Sequence, residues 1–227
     1  MFLYFDGCSH TWGDDLEDNL NERFSTLVSN HFLADHENGS RKGSSNDEIT
    51  ERTLTFIKNN PCDIGVVVMA KESRFIFNPV YKTIMPGLAH KPSKHPPKPG
   101  RRWAEKYELS EIFFSKLYTH RVGATQFYKN RFILEQAFKK KGIPLILLQW
   151  TNLKYEENKR KPGECVYKDY CEGSLPLITS WVLPSLLGLP KTKEYFYSEH
   201  QKEVAGHPNK KGHRKIADLI IELIDTH

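Results

Sequence analysis

Apolar and polar positions fall into alternating blocks along the chain. MFLYF is a short apolar run closed by Asp6 and Gly7, and it predicts a buried first strand. In 17–30, EDNLNERFSTLVSN places Leu20, Phe24, Leu27 and Val28 at helical spacing, which predicts an amphipathic helix. HFLADHENG gives a weak strand and a turn. A second helix follows in SSNDEITERTLTFIKNN, with Ser45 or Asn46 as its cap and Ile49, Thr53 and Phe56 or Ile57 facing inward. DIGVVVMA and IPLILLQW are continuously apolar, the pattern of strands buried on both faces of a parallel sheet. Between those two strands, 103–118 and 121–141 read as two helices, or as one broken near Arg121–Val122–Gly123, the second part closing on a basic last turn and a glycine, KKKG. The chain ends in a helix opened near Asn209, whose buried stripe is Ile216, Leu219, Ile220 and Leu223.

Two stretches break this order. NPVYKTIMPGLAHKPSKHPPKPGRR, 78–102, holds six prolines and many basic residues, and reads as a long loop or lid with Tyr81, Ile84 and Met85 as its anchors. The segment 151–190 is irregular, punctuated by proline and glycine, and YFY at 195–197 is a brief strand candidate. Strand and helix otherwise alternate, which predicts an α/β domain spanning 1–227, with a parallel sheet and helices on both faces. Ligands in such folds bind beyond the carboxyl ends of the strands. Ser9, Ala70 to Arg74, Gln149–Trp150 and His207 all fall at that edge.

Composition narrows the function classes. A chain of 227 residues fits one well-buried domain better than two. The net charge of +5 is concentrated in 91–106 and in the lysines 139–141, which suits anionic small molecules. No spacing of Cys, His or aromatic residues typical of nucleic-acid binding accompanies it, so a nucleic-acid partner is not expected. No stretch approaches the length of a membrane span. The first apolar run reaches Asp6 too early for a secretory leader, so a reduced, cytoplasmic setting is the default. Cys165 and Cys171 have the wrong spacing for a zinc half-site.

The candidate chemistry lies in FDGCSHTWGDDL. Ser9 follows the first strand, Gly7 allows a close backbone approach, and the peptide N–H groups around Cys8–His10 can face a developing oxyanion. The same serine also reads as a simple turn residue, because a nucleophile needs a base within reach. His10 is adjacent and better placed to line a pocket or pack on Trp12. His207, set by Pro208 at the mouth of the last helix, is the stronger base candidate, and His213 lies deeper in that helix as a structural or surface residue. Asp6 with Asp14 or Asp15 raises a metal reading, but the Asp–His–Asn pattern that would hold two metals is absent, and no metal or cofactor is expected.

GCSHTWGDDL, NGSRKGSSNDEI at 38–49 and GHPNKKGHRKIADLI at 206–220 together resemble the SGNH hydrolase (GDSL-like esterase) superfamily, in its compact phage and bacterial form. The three blocks come in the family's order and span nearly the whole chain. The resemblance implies a three-layer α/β/α sandwich around a five-stranded parallel sheet, with Ser9 as nucleophile, Gly43 as an oxyanion N–H donor and His207 as base. Two positions depart from the family. The asparagine of its third block is missing from VVVMAKESRF, which leaves Ser73, Arg74 or Asn46 as pocket donors. The aspartate three residues before the histidine is replaced by Val204, which leaves Glu203 or a backbone carbonyl to orient the imidazole. The implied activity is hydrolysis of a small-molecule or glycan ester, an O-acetyl group on a carbohydrate among them. Two other classes stay open: a non-catalytic binding or structural protein on the same fold, and a phosphate- or nucleotide-directed enzyme using Arg74, Arg101 and Arg102.

Overall fold

A computed structural model describes residues 1–71, 74–78, 82–84, 110, 112–149, 197–198, 203–204 and 207–226. Four strands, β1 (Phe2–Asp6), β2 (Asp35–Asn38), β3 (Ile64–Met69) and β6 (Leu145–Gln149), form one parallel sheet in the order β2-β1-β3-β6. The expected fifth parallel strand is not among the described residues. The nearest candidate, at 195–197, contributes instead to a two-residue antiparallel pair, β7 (Tyr197–Ser198) with β8 (Glu203–Val204). Its ladder bonds are made locally, to a neighbour close in sequence. A further antiparallel pair, β4 (Phe75–Asn78) with β5 (Lys82–Ile84), occupies the start of the proline-rich stretch that reads as loop. Most of that stretch, and all of 151–190, lies outside the described residues.

The side-chain period of two sorts each strand between two cores. On one face Leu3, Phe5, Val66, Val68, Ile146 and Leu148 pack with Phe24 and Val28 of α3 (Phe24–His31) and with Ile216, Ala217 and Ile220 of α6 (Lys210–Asp225). On the other, Tyr4, Val67, Met69, Leu145 and Leu147 meet α4 (Asn46–Asn59) and α5 (His120–Lys141) through Ile49, Phe56, Ile57, Phe127, Leu134 and Phe138. Each fully buried aliphatic side chain contributes about 1.5–3 kcal/mol, so the stripe on α6 is sufficient to hold that helix, and with it His207, against the sheet.

The helix ends follow the local chemistry. Ser45 opens α4 with a complete capping box, its side chain accepting from the Glu48 N–H while Glu48 reaches back. Ile49, Thr53, Phe56 and Ile57 are all buried, as the spacing predicts. Asn209 caps α6 by accepting from the Gly212 N–H at 3.0 Å, and Gly142 ends α5 at φ 68°. The first predicted helix, over 17–30, is broken: α2 (Asn19–Glu22) and α3 are separated by Arg23 in an extended conformation. Leu20 is consequently 63% exposed rather than inward-facing. In the 103–118 region, Phe113–Leu117 forms a single π-helical turn. No described helix is long and apolar enough to cross a membrane.

Candidate active site

The strand order places a topological switch between β1 and β3, since the chain leaves β1 for β2 on one side and returns to β3 on the other. The crevice above such a point is where open parallel sheets bind ligands. β1 delivers its last residue, Asp6, to this edge. Gly7 and Cys8 turn the chain, and Ser9 starts the four-residue helix α1 (Ser9–Trp12). Gly7 is required by space: a Cβ there would lie 2.1 Å from the Thr11 Oγ1 and 3.1 Å from the Val68 carbonyl oxygen.

His207 Nε2 lies 2.9 Å from Ser9 Oγ. The residues are 198 apart in sequence, and the contact is made because α6 packs beside α3 with its capping residue, Asn209, two positions after the histidine. On the other side of the imidazole, Nδ1 lies 2.9 Å from Asp15 Oδ2. Serine, imidazole and carboxylate thus form one continuous hydrogen-bonded line. Its direction is fixed if His207 carries its proton on Nδ1, donating to Asp15, and accepts from the Ser9 hydroxyl through Nε2. Ser9 is buried, while the side chains of His207 and Asp15 keep 23% and 25% of their surface exposed. The imidazole is therefore open to solvent at one edge.

Asp15 was not among the residues that the family pattern suggested for this place. It reaches Nδ1 because α1 stops after one turn. Gly13 takes φ 87°, its N–H and that of Asp14 both bond back to the Ser9 carbonyl, and Asp15 itself takes φ 70°. Two successive left-handed corners swing the chain back over the serine it has just left. A non-glycine residue at positive φ is uncommon, aspartate tolerates it better than most, and such strain gathers at functional sites. The signal in the sequence was Gly13-Asp14-Asp15 directly after a helix-length segment. Glu203, the sequence-based choice, sits in β8 opposite Ser198, and the Nδ1 position assigned to it is held by Asp15. Val204, at the family's usual aspartate position, pairs with Tyr197.

The other predicted residues sort as follows. His10 is buried, its ring centroid 4.8 Å from that of His207 and its Nδ1 3.1 Å from Cys8 Sγ. It packs on the His207 imidazole, where the sequence pointed to a pocket wall or a Trp12 contact. Gly43 takes φ 75°, and a Cβ built there meets nothing within 4 Å, so its constraint is conformational. Asn46 does not present a free amide: its Oδ1 accepts from the Ala70 N–H at 2.7 Å and its Nδ2 donates to the Ala70 carbonyl at 3.1 Å. It locks the start of α4 to the end of β3. Arg74 donates through Nη1 to the Ser44 carbonyl at 3.3 Å, and so steadies the loop carrying Gly43. Ser73, Trp150, Arg101, Arg102, Cys165 and Cys171 lie outside the described residues.

The acidic residues that raised a metal reading each have another partner. Asp14 pairs with Lys42, Asp15 with His207, and Asp6 with Arg52 at 2.6 Å. Asp6 is fully buried, and also accepts from the Gly7 N–H and from the hydroxyls of Tyr4 and Thr53. Burial pushes its carboxyl upward, and the Arg52 guanidinium, the Gly7 N–H and the Tyr4 hydroxyl pull against that. His213 is fully buried too, accepting the Phe24 N–H on Nδ1 at 3.2 Å and stacking on the Phe24 ring. Burial, with a smaller contribution from the charge of His207, pushes it down to about 3, so it is a neutral, structural histidine.

No protein-family model and no curated protein sequence matches the chain. Solved structures do resemble it. A psychrotrophic esterase, EstA, from Pseudoalteromonas sp., in a structure inhibited by monoethylphosphonate, aligns with a TM-score of 0.55 at 10% identity, over 99% of this chain and 97% of its own. A member of the lipolytic G-D-S-L family from Veillonella parvula aligns at 0.48 and 13% identity, over 98% and 97%. An alpha/beta hydrolase enzyme from the metagenome of Lake Arreo aligns at 0.48 and 15%, over 98% and 94%. The chain shares with the EstA esterase an α/β fold in which a parallel sheet lies between helices.

Proposed function

We propose that this chain is a serine-dependent ester hydrolase in which Ser9 is the nucleophile, His207 the general base and Asp15 the group that orients the base. One observation carries the reading: the line from Ser9 Oγ to His207 Nε2, 2.9 Å, and from His207 Nδ1 to Asp15 Oδ2, 2.9 Å. It has the order of roles that acyl transfer needs, a nucleophile bonded to a base that is itself held by an acid. The esterase fold supports it independently, because Ser9 and His207 stand at the ligand-binding edge of that fold.

In the proposed reaction Ser9 Oγ attacks the ester carbonyl while its proton passes to His207 Nε2. The negative charge that develops on the carbonyl oxygen is met by backbone N–H groups of the Cys8–His10 turn and of Gly43, in place of the family's missing asparagine. Collapse breaks the ester C–O bond, and the leaving alkoxide takes the proton from His207. Water then attacks the acyl-serine as its proton passes to the same nitrogen, and collapse breaks the acyl–Oγ bond, releases the acid and returns the proton from His207 to Ser9 Oγ. Asp15 keeps the proton on Nδ1 and stabilises the imidazolium of both steps.

The proposed substrate is a short acyl ester on a polar scaffold, an O-acetyl carbohydrate being the leading case. The basic and aromatic composition of 74–103 supports a polar or anionic acceptor over a long lipid chain. The test is active-site labelling with a fluorophosphonate probe, followed by hydrolysis of short-chain and acetylated sugar esters. Wild type should label and turn over, and Ser9→Ala and His207→Ala should do neither. Labelling of wild type no stronger than that of Ser9→Ala refutes the proposal.

A further inference from the structure

The nucleophile turn and the Gly43 loop come from different parts of the chain, and one side chain joins them. Arg52 stands on α4, with its side chain 17% exposed. Its Nη2 donates to Asp6 Oδ1 at 2.6 Å and to the Gly7 carbonyl at 3.2 Å. Its Nη1 donates to Ser44 Oγ at 3.0 Å. Gly7 lies two residues before Ser9, and Ser44 lies next to Gly43. A single rigid guanidinium plane thereby spans the two segments proposed to supply the nucleophile and the oxyanion donor.

The surrounding bonds make this a built site. Asp6 closes a loop on the turn by accepting from the Gly7 N–H at 2.6 Å. The Arg41 N–H donates to the Gly7 carbonyl at 3.3 Å, so the loop touches the turn directly beside Arg52. Ser44 is buried, and its hydroxyl donates to the Arg41 carbonyl at 3.0 Å. Tyr4 and Thr53 fix the far oxygen of Asp6.

We infer that Arg52, backed by Asp6, is a positioning residue that sets the spacing between the Ser9 turn and the Gly43 loop, and with it the geometry of the oxyanion pocket. The inference rests on the ester-hydrolase reading above. Arginine is needed because its fork reaches both segments at once, whereas a lysine ammonium would keep the Asp6 charge pair and lose the fixed second arm. An error of about 1 Å between nucleophile and oxyanion donor costs on the order of a hundredfold in rate without weakening ground-state binding.

The experiment compares wild type, Arg52→Lys and Ser44→Ala on a short-chain ester, with fluorophosphonate titration of the fraction of competent Ser9. Arg52→Lys keeps a cation beside Asp6, and Ser44→Ala removes only the second arm, so neither leaves a buried charge unpaired. Arg52→Ala is added with free guanidinium ion to restore the missing group. The expected results are a kcat about tenfold or more below wild type for Arg52→Lys with KM changed less than about twofold, a smaller fall in the same direction for Ser44→Ala, and partial recovery of Arg52→Ala by guanidinium. Folded Arg52→Lys and Ser44→Ala proteins with wild-type kcat per titrated site would overturn the inference. So would losses that vanish once rates are divided by the titrated fraction, since those reflect only a structural role. If wild type itself neither labels nor hydrolyses, the underlying esterase reading fails instead, and the two failures are told apart by that control.

Discussion

His213 makes the fold sensitive to mild acid in a way that can be isolated. Its Nδ1 accepts the Phe24 N–H, so the imidazole must stay unprotonated there. In the unfolded chain a histidine titrates near pH 6.5, whereas burial lowers His213 to about 3 in the fold. Between those values the unfolded state takes up a proton that the native state refuses. Stability from this residue is therefore complete above the unfolded pKa, and is lost progressively as the pH falls toward 3. At about pH 5 the loss amounts to about 2 kcal/mol, and at about pH 4 to about 3.5 kcal/mol. Against a total stability of about 5–15 kcal/mol, this is a large fraction. The perturbation is His213→Gln, which can still accept from Phe24 but does not titrate. Urea unfolding of both proteins at about pH 7 and about pH 5 gives a difference of differences in which Asp6, His36 and every other titrating group cancels to first order. Wild type should lose about 2 kcal/mol more than the variant over that interval. Equal losses in the two proteins would refute the argument, and would mean that His213 is protonated or open to water in the fold.

Three further outcomes follow from the geometry. Asp15→Asn should lower kcat by about 10²–10⁴-fold, toward the smaller figure because the carboxylate is partly solvated, while Glu203→Gln stays near wild type; the reverse ranking in steady-state assays would put the orienting acid back in the last block. Gly7→Ala forces a Cβ to 2.1 Å from the Thr11 hydroxyl oxygen, and should cost about 1–3 kcal/mol in urea unfolding and abolish fluorophosphonate labelling by displacing the Ser9 turn; a labelled, stable variant contradicts this. Asn46→Ala leaves both the N–H and the carbonyl of Ala70 without their partner in the core, and should cost about 2–5 kcal/mol, to be measured by urea unfolding; a loss under about 1 kcal/mol would mean that water or a neighbour replaces the amide.

What could be read in the sequence was whatever depended on short-range rules. Continuously apolar runs gave β3 and β6, and Ser45 or Asn46 gave the start of α4 to within a residue. Asn209 gave the start of α6 in the same way. Ser9 and His207 were legible because each is tied to the end of one such element. Asp15 was not, since its position depends on two consecutive left-handed corners, and the sequence offers glycine at only the first. Arg52 was not either, because its three partners come from strand, turn and loop segments that meet only after the sheet has formed. The break between α2 and α3 shows the same limit from the other side: the apolar period runs through Leu20 to Val28 without interruption, yet Arg23 turns the backbone extended and leaves Leu20 in solvent.

Ser9 and Asp15 lie six positions apart on one continuous turn, so two of the three proposed catalytic groups are inherited, moved and mutated as a unit. The stretch ahead of His207 then carries no acid that must stay in register with the imidazole. Lengthening or replacing the chain between β6 and His207 alters the approach of a single group, which α6 and its Asn209 cap already fix from the other side. Changes of length between β6 and His207 should accordingly leave the proposed Ser9–Asp15 pair in register, since that pair is closed within residues 9–15.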